Sequence, residues 1–231
     1  MTNIRLNEDR GHATHGWLDT HFTFSFSNYY DPEHMGFRAF RVINEDFIAP
    51  GMGFGAHPHK DMEILSYVLN GELGHKDSLG SGGVIRHGEV QFMSAGAGIR
   101  HSEANPSATE TTHMLQIWLL PNRNGLDPKY EQRTFPIDTQ PNRLHLLASR
   151  DGRDGSFLIR SDVEVYAGTL DAGTTADQTL TGNHGWVQVA VGTVTVNGNA
   201  LKAGDGLAID GEGSVQIAAM TDAELLLFDL G

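Results

Sequence analysis

The chain has 231 residues, 39% apolar and 19% charged, the balance of a folded protein with one large or two small domains. Sixteen Lys and Arg against 29 Asp and Glu give a formal charge of −13, which argues against general nucleic-acid binding. With no cysteine there is no disulfide, thiolate metal site, Fe–S cluster or cysteine nucleophile. No run of about 18 apolar residues occurs, so no membrane span is expected. The polar segment Met1 to Asp9 lacks the basic start and apolar run of a signal peptide, and a cytoplasmic location is expected.

In chain order, Phe22, Phe24 and Phe26 alternate as one core face of a strand would. His12, His15, His21 and His34 are spaced irregularly, which favours local hydrogen bonding over ligation. Short strands are predicted at Ile64–Leu69, Val90–Met93 and Met114–Leu119, then at Trp186–Val191 and Glu224–Phe228. Asn197-Gly198, after Thr193–Val196, signals a hairpin. Four prolines from Pro121 to Pro141, with Gly125 among them, argue against a central strand and place an inter-domain connection there. No three-turn amphipathic helix is found. Many short strands separated by Gly, Asn and Asp read as an all-β sandwich or barrel with little helix.

The halves look like a degenerate repeat. Tyr67–Leu73 precedes Gly88–Phe92, and Val189–Val194 precedes Gly204–Ala208, each as strand, glycine turn, strand and a second glycine turn. Two unrelated β domains sharing glycine punctuation would give the same pattern.

The local signal with the most chemistry is Gly55-Ala56-His57-Pro58-His59-Lys60-Asp61-Met62-Glu63. Residues two apart on a strand share a face, so His57 and His59 project together, and Glu63 keeps their parity if the strand continues. His101 and Glu103, in Gly98-Ile99-Arg100-His101-Ser102-Glu103, form a second such pair. If these strands meet, three imidazoles and a carboxylate converge. Such donors suit Fe(II), Mn, Co, Ni, Cu(II) or Zn. One His-x-His among 12 histidines arises easily by chance, whereas two same-parity pairs beside glycine turns do so far less often.

His113, Gln116 and Trp118 lie on a strand that could line a metal cavity, although a plain core role is the commoner one. Lys60, Asp61 and Arg100 would gate its mouth or simply be solvated. The glycine runs at 80–83 and 96–98 are not phosphate loops, since no Lys-Ser/Thr follows them. No Gly-x-Ser-x-Gly elbow anchors a hydrolase triad. No basic, aromatic-interleaved stripe supports DNA or RNA binding.

The spacing of Gly51, His57, His59, Glu63 and Gly71, followed by Gly88 and Gly98-x2-His101, resembles the two cupin motifs. More specifically, the chain resembles the pirin family of bicupins. The resemblance is carried by Arg10-Gly11-His12, His15-Gly16-Trp17-Leu18, Phe22–Phe26, Tyr29-Tyr30-Asp31, Met35-Gly36-Phe37, Arg41–Asp46, His57–Tyr67, Met93–Gly96, His101–Asn105 and Gln116-Ile117-Trp118. It is dense over the first 120 residues or so and general in form beyond them.

The resemblance implies an all-β bicupin of two jelly-roll β-barrel domains face to face: 1–125 with the metal, 126–142 as linker, and 143–231 as a degenerate cupin without metal. It implies one divalent metal per chain, Fe(II) first, with Mn, Co, Ni, Cu or Zn as alternatives. The ligands carried over by motif are His57, His59, His101 and Glu103. Many other cupins take the glutamate from the first motif, here Glu63, which then becomes a supporting or structural group. Constant offsets from Gly71 and Gly88 put Gln178 and Leu180 where His57 and His59 stand, and Ile217 and Ala219 where His101 and Glu103 stand. None is a good ligand, so one metal site is expected.

The activity implied is that of a metal-dependent quercetin 2,3-dioxygenase, acting as a monomer on a flavonol and O2, with Glu103 as base for the flavonol hydroxyl. A non-enzymatic metal- or redox-sensing protein with a protein partner is the alternative. A Lewis-acid isomerase or hydrolase is a third reading, because cupins host many chemistries.

Overall fold

In a computed structural model describing residues 2–231, the regular structure is almost entirely strand. The first unit's strands and their neighbours run β1 (Thr2–Arg5), β2 (Gly11–Thr14), β3 (Leu18–Phe22), β4 (Phe40–Ile48), β5 (Gly53–His59) and β6 (Glu63–Asn70). They continue as β7 (Glu72–Asp77), β8 (Gly82–Arg86), β9 (Glu89–Ser94), β10 (Ile99–Ala104), β11 (Thr112–Leu119) and β12 (Lys129–Thr134). Beyond these come β13 (His145–Ser149), β14 (Phe157–Leu158), β15 (Val163–Leu170), β16 (Thr175–Thr179) and β17 (His184–Val191). The last five are β18 (Thr193–Val196), β19 (Asn199–Lys202), β20 (Gly206–Asp210), β21 (Ser214–Ala219) and β22 (Ala223–Leu230). The helical segments among the described residues are single 3₁₀ turns at Asn7–Asp9 and Arg153–Gly155. None is long and apolar enough to cross a membrane. The strands predicted from Ile64 onward each lie within an observed one, and Asn197 and Gly198 both take positive φ (47° and 80°), as a two-residue hairpin between β18 and β19 requires.

The chain divides into two compact units, Gly11–Thr134 and Phe135–Gly231, the latter also including the residues up to Arg10. The first has a seven-stranded sheet ordered β12-β9-β6-β11-β4-β3-β2 and a four-stranded sheet ordered β5-β10-β7-β8. The second has a seven-stranded sheet ordered β1-β20-β17-β22-β15-β13-β14 and a four-stranded sheet ordered β16-β21-β18-β19. Reading β4–β11 against β15–β22 in turn reproduces both orders, so the units share one topology.

The expected boundaries need correction. Residues 126–142 are not simply a linker, because β12 within them pairs along its whole length with β9. Lys129–Thr134 is a proline-free stretch between Pro128 and Pro136, long enough to hydrogen-bond as the outermost strand of its sheet. In the second unit β1, paired with β20, fills the corresponding position, so the opening residues belong there and not with the domain they precede.

Each unit has its own core. In the second unit Val187, Val189, Val194, Val196, Leu207, Val215, Ile217, Leu225 and Leu227 form one buried apolar cluster. Burying each such side chain contributes roughly 1.5–3 kcal/mol relative to exposing it. In the first unit one apolar cluster gathers Leu18, Ile48, Val68, Leu73, Ile85 and Met114, and another Ile64, Met93 and Ile99. Around Glu103 the buried neighbours are polar instead: Gln91, Ser66 and Gln116.

Candidate metal centre

Strands β5 and β10 are antiparallel neighbours, with His101 opposite His57 and Ile99 opposite His59. The alternation expected from the sequence therefore turns His57, His59 and His101 toward one point. One donor nitrogen from each lies within 4.8 Å of the others, with ring centroids 4.4–4.8 Å apart. The register shifts between His101 and Glu103, a bulge that sets Glu103 opposite Phe54. Gly53 allows this closure, since a Cβ there would fall 2.3 Å from the Glu103 carbonyl oxygen. Glu103 gathers with His101 and His75, donor atoms again within 4.8 Å.

Electrostatics keep two of these imidazoles, His59 and His101, neutral. Burial, followed by the neighbouring His101 and His57, lowers the His59 pKa to about 4. Burial, followed by His57 and His75, lowers that of His101 to about 3. The far nitrogens are engaged: His57 Nδ1 donates to the Gly55 carbonyl at 2.8 Å, and His101 Nδ1 lies 3.4 Å from His75 Nδ1. His101 Nε2 is buried and has no hydrogen-bond partner among the described residues. A buried lone pair facing two further imidazoles is costly unless something cationic fills the gap. The donor set fits a first-row divalent ion.

Glu103 is 2% exposed and held at both oxygens. Gln91 Nε2 donates to Oε1 at 3.0 Å, and Gln116 Nε2 donates to Oε2 at 2.9 Å. The Ser66 hydroxyl lies 3.1 Å from Oε1 and also 3.2 Å from the Gln116 carbonyl oxygen, so it donates to one of the two. Glu63, also buried, accepts instead from Ser94 Oγ at 2.5 Å and gathers with none of the three histidines among the described residues.

A cavity of about 470 Å³ opens onto His57, His59 and Glu103. Its walls include Trp17, Phe22, Phe26, Phe54, Gln116 and Trp118. Trp118 meets His59 edge-on at 4.8 Å and Phe26 edge-on at 5.2 Å, which fixes the indole.

A family model described as "Pirin" matches residues 3–119, and one described as "Quercetinase C-terminal cupin domain" matches residues 146–230. The chain belongs to the pirin family. A relative named quercetin 2,3-dioxygenase, from Escherichia coli strain K12, is 51% identical over 231 residues, covering 100% of this chain and 99% of its own. A pirin-like protein from Caulobacter vibrioides is 45% identical over 221 residues, 95% of each chain. The crystal structure of YhhW from Escherichia coli is similar with a TM-score of 0.96 at 50% identity, covering 100% of this chain and 98% of that one. The structure of bacterial pirin YhhW in complex with nickel(II) is similar with a TM-score of 0.94 at 50% identity, covering 100% and 99%.

In this pirin three sequence expectations change. Phe22, Phe24 and Phe26 do not form one strand face: β3 ends at Phe22, Phe24 packs on Phe40 at 5.4 Å, and Phe22 and Phe26 line the cavity. Gln116 and Trp118 line it too, but His113 does not, because alternation along β11 puts it on the opposite face, onto Glu45, at 2.8 Å, and Phe47. In the second unit, Gln178 pairs with Val215 as His57 pairs with His101, and Val196 pairs with Ile217 as His75 pairs with Glu103. The counterparts of His101 and Glu103 are thus Val215 and Ile217, not Ile217 and Ala219, because the path from β20 to β21 is two residues shorter.

Other residues follow local chemistry. His12 and Asp19 bond at 2.7 Å, with His21 stacked on His12, and His34 bonds Asp31 at 2.8 Å. Arg100 donates to the Ala56 carbonyl, and Asp61 accepts from the Gly125 N–H. Sequence reasoning passed over His75, Asp77 and Tyr130. His75-x-Asp77 is a third same-parity pair after a glycine turn, and that was the available signal.

Proposed function

We propose that this pirin is a metal-dependent dioxygenase that opens a flavonol such as quercetin with O2, releasing carbon monoxide. The observation that carries the reading is the aromatic-walled cavity of about 470 Å³ ending on His57, His59 and Glu103. The names of the relatives support it. His57, His59, His101 and Glu103 would hold one divalent ion, Fe(II) or a first-row neighbour. When bound, the ion supplies Lewis acidity toward the substrate oxygens.

The chain's own groups do the rest. Phe22, Phe26 and Trp118 exclude water and orient a flat ring. Glu103 takes the flavonol hydroxyl proton as general base. Gln116, Gln91 and Ser66 hold its carboxylate in place, which limits the loss of orientation on each turnover.

The test is oxygen uptake with quercetin by protein loaded in turn with Fe(II), Mn, Co, Ni or Cu, with metal content recorded. Uptake with at least one ion, lost in His101→Ala, supports the reading. Protein that holds one ion per chain and consumes no O2 with any of them overturns it.

A further inference from the structure

Behind His101 lies a buried chain of polar atoms that the dioxygenase reading does not use. Asp77, at the end of β7, has a fully buried side chain, and its Oδ1 accepts the backbone N–H groups of Leu79 and Ser81, each at 2.9 Å. Its Oδ2 lies 3.1 Å from His75 Nε2. His75, likewise fully buried at its side chain, turns its Nδ1 to His101 Nδ1 at 3.4 Å. Tyr130 of β12 stacks on the His75 ring at 4.5 Å and 14°, which fixes its plane.

Only one proton arrangement satisfies every atom with neutral rings. A carboxylate is an acceptor only, so His75 Nε2 carries a hydrogen and donates to Asp77. His75 Nδ1 is then a lone pair and must accept. His101 Nδ1 must therefore carry the hydrogen, which leaves its Nε2 as a lone pair. That is the buried nitrogen without a partner that faces His57 and His59. Both nitrogens of His75 are spent in the chain, so His75 is not a ligand although it gathers with His101 and Glu103.

We propose that Asp77 and His75 are positioning residues that lock His101 in the Nδ1–H tautomer, presenting its Nε2 lone pair to the metal. This rests on His101 being a ligand, as read above, and the lock is tested without metal or substrate. Neutral imidazole in water prefers Nε2–H, so an unlocked His101 would have to change tautomer before binding an ion. Partners of this kind behind a ligating histidine typically change metal affinity about 10–100-fold when lost.

The experiment is a two-bond ¹⁵N–¹H correlation spectrum of ¹⁵N-histidine-labelled, metal-free protein, which assigns each ring's tautomer, followed by competition titration with Ni(II). Unaltered protein is expected to show His101 as Nδ1–H and His75 as Nε2–H. Asp77→Asn is the inverting variant. Its amide oxygen still accepts from Leu79 and Ser81, but its NH₂ now faces His75 Nε2. His75 must then donate from Nδ1, and His101 is forced to Nε2–H. Ni(II) affinity should fall at least about tenfold.

His75→Leu should release His101 to the Nε2–H form, with a similar loss. His75→Gln, whose amide both donates to Asp77 and accepts from His101, should keep Nδ1–H and stay within about threefold in affinity. Nε2–H on His101 in unaltered protein, or Nδ1–H persisting in Asp77→Asn, overturns the lock. Failure of every variant, and of unaltered protein, to bind Ni(II) would instead strike the ligand reading, because the tautomers are read separately.

Discussion

The large sheets of the two units are each crossed by a row of side chains at the same register, and the rows have opposite chemistry. In the first unit the row is Gln132, Gln91, Ser66, Gln116, Asn44 and Phe22, from β12 to β3. In the second it is Ile4, Leu207, Val187, Leu227, Tyr166 and Leu146, from β1 to β13. Facing them, His101 and Glu103 on β10 correspond to Val215 and Ile217 on β21. The phenol of the second row, on Tyr166, donates to Glu164 of the same strand at 2.7 Å. The same backbone thus encloses either an apolar core or a polar cluster.

The apolar version gains stability from each buried side chain. The polar version forgoes that gain, and its buried carboxylate must be desolvated and then fully hydrogen-bonded. Gln91, Ser66 and Gln116 meet that need. A costly arrangement in one unit, beside an inexpensive one on the same topology in the other, marks the first as the unit shaped for chemistry.

Four sets of variants distinguish the two rows. The largest effect is expected for His101→Ala, which should lower metal content at least about tenfold by elemental analysis with the β fold retained by circular dichroism. Its counterpart Val215→Ala should leave metal content unchanged and cost about 2 kcal/mol in urea unfolding through the cavity it creates. Metal loss in both variants would mean that the units are not independent in the way the rows suggest.

Next, Ser66→Val with Gln91→Leu and Gln116→Leu writes the second row into the first unit. It strands Glu103 as an unpaired buried carboxylate, at a cost of about 3–5 kcal/mol. Adding Glu103→Ile, the residue at the matching position, should recover most of that loss. A quadruple variant no more stable than the triple would show that packing, not charge burial, separates the rows.

A smaller effect is expected in the other direction. Leu207→Gln places an amide between Ile4 and Val187 with no partner, costing about 1–3 kcal/mol in the same unfolding assay. Metal content should not change. The smallest effect belongs to Glu63→Gln, whose amide oxygen still accepts from Ser94. It should shift stability by less than about 1 kcal/mol and leave metal content unaltered. A metal loss as deep as that of His101→Ala would transfer the carboxylate role to Glu63.

Much of this was legible in the residues. Period-two alternation with glycine punctuation identified the strands, and the same period paired His57 with His59 and His101 with Glu103. Other features were hidden for physical reasons. Lys129–Thr134 reads as linker because an outermost strand is bonded on one side only and flanking prolines mask it. Gln91 and Ser66 look like ordinary strand residues until their strands are neighbours. The shift from Ile217 and Ala219 to Val215 and Ile217 arises from a shorter turn, which constant offsets cannot detect.

The residues of this pirin specify its local chemistry: which strands form, which faces their side chains share, and which donors carry nitrogen or anionic oxygen. Tertiary structure decided which of those donors meet. Alternation along one strand specifies a face but not a partner, and partnership depends on register between strands far apart in the chain. That is why Glu103 and its three hydrogen-bonding neighbours, and the line from Asp77 through His75 to His101, appear only when the sheets are assembled.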